Sequence, residues 1–211
     1  MKAESLIFDI DGTLWDSRAI IAEGYNEVLT QAGYPELCVT AEDLKKLFGK
    51  TMTEIGDILL ATVPAEQRYP LMERCIDVGD GKLLDDPCDI GYPGVVETLE
   101  ELSRRYRLFI VSNSQAGYPQ TTMEKLGITH LIEGHLCFGD TGTDKGTTIR
   151  ILMERHGITD AVYIGDTQGD LEASQKAGIP FIFCTFGFGT PEAWDAKIDA
   201  FTDLPELLKT M

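Results

Sequence analysis

The sequence predicts an α/β chain built on a parallel sheet, and three observations carry that expectation. Short apolar runs recur at Ser5–Phe8, Tyr106–Val111, His135–Phe138, Ala161–Ile164 and Ile179–Cys184, the third weaker than the others. Helical patterns over Val95–Arg104, Pro119–Leu126, Lys145–His156 and Leu171–Ala177 lie between them, and strands alternating with helices build βαβ units. The runs are mostly apolar rather than alternating, as strands covered on both faces are.

Residues 16–88 break this rhythm. Ile20, Ile21, Val28 and Leu29 make one helical stripe, Leu44, Leu47 and Phe48 a second, Ile55, Ile58 and Leu59 a third, and Leu71, Met72, Cys75 and Ile76 a fourth. Gly33-Tyr34-Pro35, Gly49, Pro64 and Gly79-Asp80-Gly81 are expected to separate them. The segment reads as a helical insert after the first strand, returning through the turn-rich stretch Asp85–Gly94. The expected division is a core of residues 1–15 and 89–211 and an insert of 16–88.

Length and composition set bounds. The 211 residues suffice for one full core domain and a second small one. A net charge of −17 argues against nucleic acid or an anionic membrane surface as the main partner, though not against small phosphorylated molecules. The five cysteines form no CxxC pair and read as reduced thiols, which with the absence of a leader pattern or membrane-length apolar run suggests a cytoplasmic protein.

Four segments hold the chemistry, each just after or between predicted elements: Asp9-Ile10-Asp11-Gly12-Thr13, Ser112-Asn113, Lys145, and Gly165-Asp166-Thr167-Gln168-Gly169-Asp170. They supply clustered carboxylates, a hydroxyl donor and one ammonium. Such a set can hold a hard cation beside a phosphate and attack phosphorus with a carboxylate. Asp9 and Asp11, two apart on extended chain, can face the same side. Repulsion is the obstacle: two unit charges about 4 Å apart interact by roughly 4 kcal/mol at an effective dielectric of 20. A divalent cation removes most of that penalty, and hard oxygen ligands favour Mg2+.

These motifs, in this order and spacing, resemble the haloacid dehalogenase-like superfamily. Within it they are similar to the phosphatase branch with a helical cap after the first strand, which includes phosphoglycolate phosphatases and β-phosphoglucomutase-like proteins. The resemblance implies a Rossmann-like sheet of order 3-2-1-4-5, an active site at the carboxyl ends of strands one, two and four, and the insert as cap. It implies Asp9 as nucleophile, Asp11 as acid and base, and Lys145 as the cation between Asp9 and phosphate. Ser112, Asn113 and Lys145 would bind phosphate, with Gly12 allowing close backbone approach and Thr13 holding Asp11 in place. The implied Mg2+ ligands are the Asp9 carboxylate, the Asp11 backbone carbonyl and Asp166, with Asp170 directly, through water, or as a cap for a helix beginning at Leu171. Lys50 matches the region where capped relatives contact substrate.

The expected activity is therefore Mg2+-dependent hydrolysis of a small phosphorylated metabolite through an aspartyl phosphate, by a monomer or homodimer. Asp11 argues against dehalogenase and phosphonate-hydrolase chemistry. A sugar phosphomutase shares both aspartates, and Thr13 tilts away from it. A non-catalytic binding module would be expected to have lost one of Asp9, Asp11, Lys145 or Asp166. Outside the motifs, His130, His135 and His156 read as ordinary core or surface residues. Gly139–Gly142 reads as a loop bordering the site, Trp15 and Asp16 as the hinge of the insert, and Tyr118 and Phe186–Gly189 as pocket border or as packing and turn.

Overall fold

The computed structural model describes residues 3–210. The chain forms two compact units, one of Met1–Asp16 with Ile90–Met211 and one of Ser17–Asp89. In chain order the elements are β1 (Ser5–Phe8), α1 (Arg18–Gln31), α2 (Ala41–Lys45), α3 (Met52–Leu59), α4 (Ala65–Asp85), α5 (Val95–Ser103), β2 (Arg107–Ser112), α6 (Tyr118–Leu126), β3 (Ile132–Cys137), α7 (Phe138–Thr141), α8 (Lys145–His156), β4 (Ala161–Gly165), α9 (Gln168–Ala177), β5 (Phe181–Cys184), β6 (Ala196–Ile198) and α10 (Leu204–Thr210).

The first unit is a parallel sheet of order β3-β2-β1-β4-β5-β6 with helices packed on it. The expected order is present, extended by β6. That strand escaped sequence reading because Ala196-Lys197-Ile198 is too short and too polar to stand out. It is fixed instead by β5, through the Thr185 amide on the Ile198 carbonyl at 3.0 Å and the Phe181 amide on the Asp195 carboxylate at 2.8 Å. One face buries Ile7, Phe109, Val111, Tyr163, Phe181 and Phe183 against Ile149 and Leu152 of α8 and Leu171 of α9. Full burial of each such side chain contributes about 1.5–3 kcal/mol, which is why these apolar runs become central strands rather than surface ones.

Strand register decides where the chemistry falls. Phe8, the last residue of β1, lies beside Ile110 of β2 and Ile164 of β4. The chain following each of these strands therefore emerges at the same edge of the sheet, the carboxyl end where open α/β sheets bind ligands.

The second unit is helical. Asn26 of α1 ties down the connection to α2, its amide bonding both the amide and the carbonyl of Val39 at 2.7 Å. Thr40 with Asp43 and Thr51 with Glu54 form capping boxes that start α2 and α3. Gly79-Asp80-Gly81 does not separate helices as expected; α4 runs through it and through Pro70. The reason is packing: α1 and α4 meet at Gly24 and Gly79, where a Cβ on Gly24 would lie 2.8 Å from the Gly79 Cα. Close backbone approach offsets the poor helix propensity of glycine, about 1 kcal/mol. Among the described residues no helix is long and apolar enough to cross a membrane.

Candidate active site

Asp9 continues the line of β1, its amide donating to the Ile164 carbonyl at 2.9 Å. The chain then turns sharply: the Leu14 amide bonds the Ile10 carbonyl at 2.8 Å and the Gly12 amide the Trp15 carbonyl at 3.0 Å. Gly12 sits at φ +84°, and a Cβ there would overlap the Asp166 carboxylate. Asp166 follows β4 directly, Ser112 ends β2, and Lys145 opens α8 behind the cap Asp144.

Asp170 does two jobs at once. The helix begins at Gln168, not Leu171, because Thr167 caps it and Asp170 completes the capping box. Asp170 Oδ2 accepts the Asp166 amide at 3.1 Å, the Thr167 amide at 2.9 Å and the Thr167 hydroxyl at 2.7 Å. Its Oδ1 accepts from Lys145 Nζ at 2.7 Å. Lys145 also donates to Asp9 Oδ1 at 2.9 Å, and all three side chains are almost wholly buried.

The electrostatics follow from one buried ammonium among three buried carboxylates. Burial disfavours the Lys145 charge, but Asp170 and Asp9 outweigh it and raise its pKa. Burial works likewise against the Asp170 charge, yet Lys145 and the Thr167 donors hold its pKa below the usual range. Lys145 and Asp170 are thus a charged pair. For Asp9, burial dominates over Lys145 and lifts the carboxyl from 3.8 to about 7. Burial, then Asp170 and Asp9, push Asp166 well above the ordinary carboxylate range.

This excess of acid is what a cation would relieve. Oxygens of Asp9, Asp166 and Asp170 lie within 4.8 Å of one another. Asp166 Oδ2 accepts the Phe188 amide at 2.6 Å, whereas the buried Oδ1 has no hydrogen-bond partner. An orphaned buried carboxylate oxygen is costly. Two raised carboxyls, one with an unused oxygen, in an all-oxygen donor set suit a hard divalent ion.

Asp11 is held in an unexpected way. Its Oδ1 accepts from Trp15 Nε1 at 3.0 Å and from the Tyr118 hydroxyl at 2.9 Å. Thr13 does not hold Asp11 as expected: its buried hydroxyl has no hydrogen-bond partner. Trp15 and Tyr118 were legible only as hinge and border residues: a donor from 107 positions away, like Tyr118, leaves no local pattern, and the indole of Trp15, four residues on, belongs to no recognised element of the motif. Phe188 serves Asp166 through its amide, a role its side chain cannot signal; Gly187 beside it is bare because a Cβ would overlap Asp166.

The Ser112 hydroxyl accepts the Ser114 amide at 3.2 Å, and Asn113 and Ser114 follow in the same loop. Gly139–Gly142 is not a plain loop: α7 forms there, capped by Asp140 on the Cys137 amide at 2.9 Å. Lys50 is an exposed residue of the helical unit. His156 packs edge-on against the Phe109 ring with centroids 5.0 Å apart.

Comparison with known proteins identifies relatives of this chain. A phosphoglycolate phosphatase of Agrobacterium fabrum is 31% identical over 86% of this chain and 80% of its own. One from Aliivibrio fischeri is 28% identical over 94% and 91%. A protein from Haemophilus somnus described as a predicted phosphoglycolate phosphatase superposes with a TM-score of 0.84 at 22% identity, covering 98% of each chain. A haloacid dehalogenase-like family protein from Streptococcus pneumoniae does so at 0.79 and 21%, covering 97% and 98%. These two likenesses establish the fold. The model of the family described as haloacid dehalogenase-like hydrolase matches residues 6–184, and the chain belongs to that family.

Proposed function

We propose that this phosphatase hydrolyses a small phosphorylated metabolite through an aspartyl phosphate on Asp9, with Mg2+ held by Asp9, Asp166 and the Asp11 backbone carbonyl. The observation that carries the reading is the buried set at the sheet's carboxyl edge, where Lys145 pairs with Asp9 and Asp170 while one Asp166 oxygen is left without a partner. A bound divalent ion supplies the positive charge that lets Asp9 and Asp166 ionise together beside a phosphate. Asp170, with both oxygens engaged, keeps Lys145 charged and aimed rather than serving as a direct ligand.

In the first step Asp9 attacks phosphorus, the bond to the leaving oxygen breaks, and Asp11 gives that oxygen a proton. In the second, Asp11 takes a proton from water, which attacks the same phosphorus and frees Asp9. Lys145, the Ser112 hydroxyl and Asn113 hold the phosphoryl oxygens, and Gly12 keeps the loop close. Phosphoryl transfer needs little beyond positioning and charge stabilisation, which this set supplies. The same family reading assigns substrate selection to the helical unit Ser17–Asp89, Lys50 included.

The curated relatives named phosphoglycolate phosphatase make 2-phosphoglycolate the first substrate to try. Phosphate release from it and from a panel of metabolite monoesters should require Mg2+, stop in chelator, and vanish in Asp9→Asn. Release that persists in Asp9→Asn would overturn the nucleophile. An isomerised sugar phosphate without free phosphate would instead indicate a mutase.

A further inference from the structure

We propose that Tyr118 and Trp15 are positioning residues that aim the Asp11 carboxyl for proton transfer to the leaving group, an inference resting on the role given to Asp11 above. Both donate to one oxygen, Oδ1, at 2.9 and 3.0 Å. Both are buried, Tyr118 at 4% and Trp15 at 0% exposure. Their rings meet edge to face with centroids 5.8 Å apart, so each constrains the other.

The two donors reach Asp11 from independent directions. Trp15 lies on the same turn, bridged to Asp11 and bonded through its carbonyl to the Gly12 amide. Tyr118 comes from the first turn of α6, across the sheet edge. Its approach is braced from below. Gly117 turns the chain at φ +94°. The Cys137 thiol lies 3.2 Å from the Gln115 carbonyl and 3.1 Å from the Asp140 carboxylate, and the Gly139 amide donates to the Ser114 carbonyl at 3.1 Å. Gly139 sits so near Ala116 that a Cβ would overlap its amide. The short helix α7 therefore sets the height of the Ser114–Gly117 loop, and through it the Tyr118 hydroxyl.

With two donors on Oδ1, that oxygen stays an acceptor. The proton given to the leaving oxygen, and later taken from water, is then carried by Oδ2. Holding one oxygen fixes the side-chain torsion and with it the reach of the other, and small misplacements of a catalytic group are expensive in rate.

The test uses leaving groups of different basicity on the full chain. An alkoxide needs the proton as the bond to phosphorus breaks, whereas p-nitrophenolate leaves without it, and kcat/KM reports this first step. Tyr118→Phe keeps the ring and removes only the hydroxyl. It should lower kcat/KM about 10- to 100-fold for an alkyl phosphate and less than about threefold for p-nitrophenyl phosphate, a loss no larger than the lower end of the roughly 10²–10⁴-fold that a general acid supplies. In an Asp11→Asn background it should have almost no further effect. Trp15→Phe should show the same selectivity, with thermal midpoints checking that each variant folds. Equal losses on both substrates, or an undiminished effect without the Asp11 carboxyl, would overturn the proposal and leave a packing role. Wild-type protein inactive on both substrates would instead overturn the phosphatase reading, and the inference with it.

Discussion

Asp9→Asn should stabilise the metal-free protein while it abolishes turnover. Folding carries the Asp9 carboxyl from 3.8 to about 7, chiefly by burial, which Lys145 only partly offsets. A raised carboxyl means the unfolded chain releases its proton first, so stability falls as pH climbs from about 4 to about 7 and stays lower above that. At about 1.4 kcal/mol per tenfold change in the proton equilibrium, the penalty reaches at most roughly 4 kcal/mol. Asparagine escapes it but offers Lys145 only a neutral amide oxygen as acceptor, so about 1–3 kcal/mol of stabilisation is expected at pH 8, set by the cost of burying an unbalanced charge. For a chain of this size that is roughly 3–10 °C in the thermal midpoint. The assay is thermal unfolding of wild type and variant in chelator at pH 5 and pH 8, with the gap opening only at the higher pH. Added Mg2+ should shrink or invert it, since wild type gains about 2.7 kcal/mol at a hundredfold excess over Kd. A variant no more stable than wild type at pH 8 in chelator would refute the view that the carboxylates are overcrowded without a cation.

Further outcomes follow from the same contacts. Lys145→Met leaves the buried Asp9 and Asp170 without their ammonium, and should cost about 3–5 kcal/mol in urea unfolding at pH 8. Asp144→Ala removes the cap of α8 and should cost about 1 kcal/mol. Asp144 is held at about 2, first by Lys176, so its contribution is full above 3.8 and fades as pH falls through about 2; the gap between wild type and variant should close over that window. Gly12→Ala forces a side chain to φ +84° and into the Asp166 carboxylate, and should weaken Mg2+ binding at least about tenfold by calorimetry, the left-handed conformation alone costing about 1–2 kcal/mol.

What could be read from the chain was whatever local pattern encodes. Five strands and the helices between them announce themselves by apolar runs and 3.6-residue spacing. Asp9, Asp166, Asp170 and Lys145 stand at strand ends and helix starts, and parallel register does the work of gathering them. Features that depend on contact across the fold were not legible. β6 exists because β5 offers an unpaired edge, and α4 passes through Gly79 because α1 packs there. The Tyr118 phenol on Asp11 and the Phe188 amide on Asp166 come from distant segments, and even the nearby Trp15 indole is a donor that no motif records. Asp170 offered two rival roles, cap or site residue. One of its oxygens takes part in the cap and the other accepts from Lys145, which spacing alone could not separate.

The most direct test is to trap the covalent intermediate. The protein would be quenched in acid during turnover with Mg2+, reduced with borohydride, which converts an acyl phosphate to the alcohol, and mapped by fragmentation of the peptide spanning residues 3–18. Homoserine at position 9, present only with substrate and Mg2+ and absent in Asp9→Asn, is the predicted result. Reduction at another carboxylate, or none in actively turning-over enzyme, would contradict the role given to Asp9.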